Sequence, residues 1–441
     1  MERKINVRLK EWKSSPVRKP LLIKGARQVG KTYSALVFGK AEYKNTAYVN
    51  VESSSEAEKI FGGGPDAKNV IKGIAAVTGE TIHEEDTLIV LDEVQKSERA
   101  LASMKYLQEQ APGYHVIATG SLLGLTVDRK EYSFPVGKVD MITMHPMDME
   151  EFLWATGKKQ LSEMINISFD DKRPMPLHEK AMEAYRTYIA VGGMPEAVSE
   201  HVRTGDHNLV ISAHSRLNSS YIADMAKYSS PADIIRTSDV WSSIPSQLAK
   251  EGGNKKFQYD EIVPGGRSKD YGGPIARLEM AGLINVCRKV TEGKLPLSIY
   301  ENKGSFKVFM VDTGMLATRY GLPIKRILAA DLPGDVSGAM AENYVMQALI
   351  SNGIIPYYWS SPGKAELDFV YQDAYGNIIP VEVKSSDNVR SKSMGVFVSN
   401  YDVPYAIRIS SKNMGFENGV LSVPLYAAYR ITAENTIPGV T

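Results

Sequence analysis

Between residues 20 and 145, short apolar runs alternate with stretches of helical spacing. The runs are PLLI (20–23), TAYVNV (46–51), TLIVL (87–91), HVIAT (115–119) and KVDMITM (138–144). They are nearly continuous in apolar residues, as strands covered on both faces must be. The alternation predicts a parallel sheet with crossover helices, an α/β arrangement. From about 146 to 235 the spacing turns helical, as in MDMEEFLWA (147–155) and EKAMEAYRTYIAV (179–191), and GGMPEAV (192–198) supplies a turn and a new helix start. Residues 236–325 predict several helices and then a strand pair, GLINVCRKV (282–290) and KVFMVD (307–312), an order that suits a winged-helix-like module. The last stretch opens with helical SGAMAENYVMQALISN (337–352) and continues with strands at YYW, LDFVY, IIPVEVK, VPYAIRIS and VLSVPLYAA. The expected organisation is an α/β domain over 1–160, a helical lid or linker over 161–235, the winged-helix-like module over 236–325 and a small α/β domain over 326–441.

Composition narrows this little. A chain of 441 residues with 43% apolar and 23% charged positions is an ordinary globular protein of two to four domains. The net charge of +1 provides no global field for nucleic acid, so any such binding needs a local patch. Residues 251–310 hold ten Lys and Arg against seven Asp and Glu. Lys255, Lys256, Arg267, Lys269, Arg288 and Lys289 there face phosphates or simply solvent, and no interleaved aromatics argue for base stacking. Arg390 and Lys392 further on invite the same two readings. The single cysteine, Cys287, excludes internal disulfides and cysteine-based zinc sites. His83 lacks a second histidine at ligand spacing and reads as a loop residue, while Asp312 reads as the cap of the following helix. The opening MERKINVRLKEWKSS has no apolar core, and no run approaches the ~18 residues that span a bilayer, so the expectation is a cytoplasmic protein without a membrane partner.

Two stretches carry chemistry. Gly25-Ala26-Arg27-Gln28-Val29-Gly30-Lys31-Thr32, with Tyr33 behind it, fits G-x-x-x-x-G-K-[ST] between a predicted strand and a predicted helix. Backbone N–H groups of such a loop curl around phosphates, and the helix N-terminus adds positive potential. Lys31 is expected on the β and γ phosphates and Thr32 on Mg²⁺. Its partner is TLIVLDE: Asp92 is expected to hold the Mg²⁺ shell and Glu93 to polarise the attacking water. At the end of the next strand, in ATGS, Thr119 and Ser121 are both candidates for contact with the γ-phosphate or the attacking water, Ser121 preferred. Arg99 and Arg129 lie in the right region for an arginine finger reaching a neighbouring copy. Oligomeric state stays open, a homo-oligomer included.

The second stretch is LDFVYQDAYGNIIPVEVKSS (367–386). Its turn centres near Tyr375, so antiparallel pairing sets Asp368 opposite Glu382, with Lys384 on the same face and Leu367, Phe369, Val381 and Val383 on the other. Opposed like charges cost roughly 0.2–1 kcal/mol unless neutralised. A hard divalent cation would do this, with Glu342 on the preceding helix as a further ligand, and so would Lys384 itself. The layout D-x(n)-E-x-K is that of PD-(D/E)xK nucleases.

In its ordered matches the chain resembles prokaryotic AAA-type P-loop ATPases that carry a C-terminal domain of unknown function with a nuclease-like end. These matches include KPLLIKGARQVGKT, TLIVLDEVQ, ATGSLLG, FPVGKV, HPMDMEEFL, VGGMPEAV, KVFMVDTGML and AELDFVYQDAYGNIIPVEVKSS. Members commonly carry Gly-Arg where this chain has Gly137-Lys138. The resemblance implies ATP binding with Mg²⁺, ATP hydrolysis, and a C-terminal half that is winged-helix and nuclease-like. Two functions remain open. One is an ATPase that moves its C-terminal modules, DNA being the candidate partner. The other is a nucleotide-gated binding or signalling protein whose nuclease-like domain is an inactive docking surface.

Overall fold

The computed structural model describes residues 1–53, 56–62, 64, 66–121, 135, 137–226, 230–250, 256–361, 363, 365–386 and 392–435; Arg129, Lys255 and Arg390 lie outside them. The chain forms two compact units: Met1–His145 with Met280–Gly282, and Pro146–Glu279 with Leu283–Thr441.

The first unit is built on a five-stranded sheet of β1 (Leu21–Gly25), β2 (Asn45–Asn50), β3 (Thr87–Asp92), β4 (His115–Ser121) and β5 (Asp140–Thr143), in the order β2-β3-β4-β1-β5. All pairs run parallel, as the apolar runs predict. Every residue of β3 and β4 is buried, which explains why these runs lack the polar alternation of a half-exposed strand. The helices Ala67–Thr78 and Glu98–Gln110 cover one face, setting Val70, Ile74, Met104 and Leu107 against Ile89 and Val116. Asp66 caps the first of these through the N–H groups of Lys68 and Asn69. After β1 the chain crosses to β2 at the far edge and works back, so the order reverses beside β1. In sheets of this kind the crevice at the carboxyl ends by such a reversal is where ligands bind.

The second unit joins helices to an eight-stranded mixed sheet. Its strands are β6 (Ile284–Val290), β7 (Glu301–Met310), β8 (Tyr357–Ser360), β9 (Glu366–Gln372), β10 (Ile378–Val383), β11 (Ala406–Ser410), β12 (Gly415–Glu417) and β13 (Val420–Pro424), in the order β12-β13-β11-β10-β9-β8-β6-β7. The strand pair expected in the winged-helix-like module is β6 and β7, antiparallel, but β6 also pairs in parallel with β8. The boundary expected at 325/326 therefore runs through one sheet. The helix Gly334–Ser351 ties the same two segments together: the Asn343 carboxamide accepts from Met310 N (2.7 Å) and donates to Met310 O (3.2 Å). The boundary expected at 160 likewise moves back to 145, and the segment 161–235 falls within the second unit. VLSVPLYAA is strand only to Pro424. Leu425–Arg430, which follows and is buried as far as Tyr429, is a 3₁₀ turn, a distinction that an apolar run alone does not make.

Three of the quoted motifs, HPMDMEEFL, VGGMPEAV and KVFMVDTGML, turn out to be one packed knot. A Cβ on Gly193 would lie 1.9 Å from the Met147 carbonyl oxygen, and one on Gly314 would lie 2.5 Å from Gly192 N, so both sites exclude side chains. Asp312 is fully buried between them. Its carboxylate accepts from Gly193 N (2.6 Å) and, as the expected helix cap, from Met315 N (2.9 Å). Burial pushes its pKa up to about 6 against the pull of those N–H groups. Cys287 is buried. Among the described residues no helix is long and apolar enough to cross a membrane.

Candidate functional site

The loop between β1 and the helix Lys31–Glu42 is shaped by its glycines and by its back wall. Gly30 has φ 96, a left-handed conformation that favours glycine, and a Cβ on Gly25 would lie 2.2 Å from the Met144 carbonyl oxygen. Arg3, buried, donates to the carbonyls of Val29 and His145 at 2.8 Å each, clamping the loop to the end of the unit. Nothing in the sequence pattern marks Arg3 for this task. Tyr33, in the first turn of the helix, is exposed.

Lys31 is 8% exposed and its ammonium donates to the carbonyls of Gly25 (3.2 Å) and Ala26 (2.7 Å). Burial lowers its pKa to about 8, an effect that Glu93 and Asp92 only partly offset. Thr32 Oγ1 donates to Asp92 Oδ1 at 2.7 Å, Thr119 Oγ1 donates to the same oxygen, and the Tyr48 hydroxyl donates to Asp92 Oδ2 at 2.9 Å. The expected choice between Thr119 and Ser121 thus resolves into two different environments. Thr119 holds the Asp92 carboxylate, whereas the buried Ser121 hydroxyl has no partner among the described residues. Register accounts for this, since β4 sets Ser121 beside Gly25 of β1.

Glu93 sits at φ 53, an uncommon left-handed conformation for a non-glycine residue. Its Oε2 accepts from Gln95 Nε2 and lies 4.0 Å from Arg27 Nη2. Gln95 Oε1 in turn accepts from Ser121 N at 3.3 Å. Gln95 therefore links the acid after β3 to the tip of β4. Tyr48 and Gln95 belong to the site but carry no motif signal beyond their adjacency to it.

These residues fit a magnesium–triphosphate group. The donor set of hydroxyl and carboxylate oxygens suits a hard cation, and a buried ammonium held only by carbonyls is matched to an arriving anion. The unpartnered Ser121 hydroxyl adds a polar group ready for it.

The hairpin of the second unit keeps the expected pairing and takes the lysine-neutralised of its two expected forms. β9 and β10 pair antiparallel through Val381↔Phe369, and the next step of that register sets Glu382 across from Asp368, as expected. Lys384 neutralises the nearer acid: its Nζ lies 2.6 Å from Glu382 Oε1. Asp368 Oδ2 accepts from Val383 N at 2.8 Å. A second lysine enters from β7. Lys307, 1% exposed, lies 2.6 Å from Glu366 Oε1 and 5.0 Å from the centre of the Tyr358 ring. Burial raises the Asp368 pKa, and the charges of Glu342 and Glu382 raise it further, against the pull of Lys307. For Lys307 the balance runs the other way: burial alone would lower its pKa, yet Glu342, Glu366 and Asp368 hold it well above the ordinary value.

Of the expected second metal set Glu342, Asp368, Glu382 and Lys384, the lysine lies on Glu382 Oε1, while the buried Glu382 Oε2 has no hydrogen-bond partner among the described residues. Among the described residues no group of three or more His, Cys, Asp or Glu could hold a metal ion. The positive charge is supplied by Lys307 and Lys384. Sequence reasoning missed Lys307 and Glu366. Their signals were a lone lysine in the apolar run KVFMV and the two-residue spacing that puts Glu366 on the face of Asp368.

The other candidates divide into paired and exposed residues. Arg288 pairs with Glu279 (3.1 Å) and Glu301 (3.6 Å), and Lys138 pairs with Glu109 (2.9 Å). Arg99, Lys256, Arg267 and Lys269 are exposed, and His83 lies outside helix and strand.

Residues 17–153 match a family model described as AAA domain. The loop, the acidic tip of β3 and the sheet order agree with this match, so residues 17–153 are similar to AAA-type P-loop domains. Residues 182–325 and 337–427 match two models described as Domain of unknown function, DUF8612 and DUF4143, which divide the strands of one sheet between them. No curated protein matches the chain. Solved structures similar to it include the Aeropyrum pernix ORC1 protein in complex with DNA, at 13% identity over 75% of this chain and 92% of that one, TM-score 0.30. Others are the Thermotoga maritima RuvB Holliday junction branch migration motor, at 14% over 64% and 87%, TM-score 0.28, and AMPPCP-bound DnaA from Aquifex aeolicus, at 11% over 63% and 89%, TM-score 0.29. Scores this low establish no shared architecture over the aligned length.

Proposed function

We propose that the chain binds ATP with Mg²⁺ at the loop Gly25–Thr32 and hydrolyses it, and that the nucleotide state governs what the second unit binds. The observation that carries this is the Lys31 ammonium, buried among carbonyls beside the Thr32–Asp92 pair. Lys31 exchanges the Gly25 and Ala26 carbonyls for phosphate oxygens as nucleotide enters. Thr32 and Asp92 would hold the Mg²⁺, whose chemistry is to neutralise charge on the phosphates. Glu93, oriented by Gln95, takes the proton side of the attacking water, and Ser121 offers its hydroxyl to the γ-phosphate. Glu93→Gln should abolish phosphate release while ATP binding persists. Unchanged turnover in that variant would refute the assignment.

For the second unit, the lysine-neutralised acids favour the binding reading over nuclease action. What supports this is that Lys384 sits on Glu382 and Lys307 on Glu366, cations standing where the layout would otherwise call for a metal. DNA remains the candidate partner, through the exposed Lys256, Arg267 and Lys269. Incubation of the full chain with Mg²⁺ or Mn²⁺ and single- or double-stranded DNA should give binding that weakens as salt rises, without nicking. Metal-dependent nicking lost in Asp368→Ala would overturn the inactive reading.

A further inference from the structure

The second unit contains a cavity of about 520 Å³ that belongs neither to the nucleotide loop nor to the lysine-neutralised cluster. This is within the roughly 300–1,000 Å³ typical of small-molecule sites. Its walls are largely apolar, with Met182 and Ile189 from the helix His178–Val191, Ile327 and Leu332 from the following connection, and Met340 from the helix Gly334–Ser351. Its polar lining is one cation, Arg186, with Tyr185 and the serines 337, 385, 386 and 411.

Three features of this lining point to an anion. Among the described residues no carboxylate lines the cavity. Arg186 has no ion-pair partner among them, and its Nε is buried without a hydrogen-bond acceptor. A half-buried guanidinium left in this state is costly, and an incoming anion relieves the cost by accepting from its planar fork. Tyr185 is 7% exposed, and burial pushes its ionisation far above any working pH, so it presents a neutral hydroxyl. The hydroxyls of Ser337 and Ser385 lie 3.0 Å apart, joining the helix that carries Glu342 to the exit of the β10 strand. The apolar walls need an apolar body to cover them, because water gains little there.

We infer that this cavity binds a small organic anion, an apolar body bearing one carboxylate or phosphate whose charge rests on Arg186. The site is independent of the nucleotide loop. A bound ligand touches Ser337 and Ser385 together, so occupancy bears on the junction between that helix and the hairpin.

The test is calorimetric titration of the full-length protein with octanoate, octyl phosphate and octanol, all below their aggregation limits. At least one anion should bind about tenfold or more tighter than octanol, the worth of a charge-assisted hydrogen bond, and whichever is tighter separates carboxylate from phosphate. Arg186→Gln should erase the preference and leave octanol binding unchanged, while Arg186→Lys should retain part of it. Ser385→Ala, which removes no charge, should weaken the anion several-fold even if Arg186→Gln fails to fold. The inference is overturned if none of the three probes binds saturably, if neither anion outcompetes octanol, or if the preference survives in Arg186→Gln or is untouched in Ser385→Ala.

Discussion

The Thr32 hydroxyl donates to the Asp92 carboxylate across 2.7 Å, joining the first turn of the loop helix to the tip of β3. Because Thr119 and Tyr48 hold the same carboxylate, Asp92 keeps its place when Thr32 changes. Thr32→Val preserves the shape and removes only the hydroxyl. Turnover at saturating ATP should fall roughly 10–100-fold, the range for losing a hydrogen bond to a charged group, with more magnesium needed for half-maximal rate. A magnesium titration of phosphate release checks this, and an unshifted curve would remove Thr32 from the metal site.

Gln95 provides a separate test, because it touches the acid and not the phosphates. Gln95→Ala releases Glu93 Oε2 and the Ser121 N–H together. We expect the kcat for ATP to drop by about ten- to a hundredfold with KM nearly constant, the pattern of an interaction that matters in the transition state. A rise in KM at constant kcat would show instead that Gln95 serves ground-state binding.

These positions show how far residue order carries. The loop and the acidic strand end are legible because both motifs are local: a turn, a helix start and a strand tip, each set by neighbours in sequence. The register of the hairpin is legible for the same reason, its turn fixing Asp368 against Glu382. Arg3, Lys307 and the partition between Thr119 and Ser121 are not. Arg3 meets His145 at the far end of the unit, and Lys307 reaches Glu366 from a strand separated from β9 by β6 and β8. Such contacts follow from sheet order, which a single sequence does not state. That β6 pairs with β8 across the boundary expected at 325 is hidden for the same reason, the pairing being long-range.

Asp312 makes stability depend on pH in the direction opposite to a salt-bridged acid. Its pKa in the folded protein is about 6, above the ordinary 3.8. The folded state keeps the proton through that window while the unfolded chain loses it, so this group's contribution is full below about pH 4 and is lost as pH rises through 6. Two pKa units correspond to about 3 kcal/mol. Asp312→Asn removes the titration. It should be destabilised most, relative to the parent, near pH 4, and should recover about 3 kcal/mol of that difference by pH 7. Denaturant unfolding across pH 4–7 measures it. A difference that stays constant would show that Asp312 is ionised in the fold throughout.

Lys307 decides whether the acidic cluster is a metal seat or a closed ion-pair network. Removing a buried lysine leaves its carboxylates uncompensated, so Lys307→Met should cost about 3 kcal/mol or more. Glu366→Gln added to it should recover part of that loss, since one of the stranded charges is gone. The variant should also acquire what the parent lacks. With the ammonium absent, Glu366 and Asp368 lose the cation between them, and millimolar Mn²⁺ should raise the melting temperature of Lys307→Met. A stabilisation of about 2.7 kcal/mol would mean free metal at roughly a hundred times its Kd. Both chains are compared in an Asp92→Asn background, so that metal at the nucleotide loop does not contribute. If the parent with Lys307 intact is stabilised as strongly by Mn²⁺, the lysine is not standing in for a cation and the acids bind metal beside it.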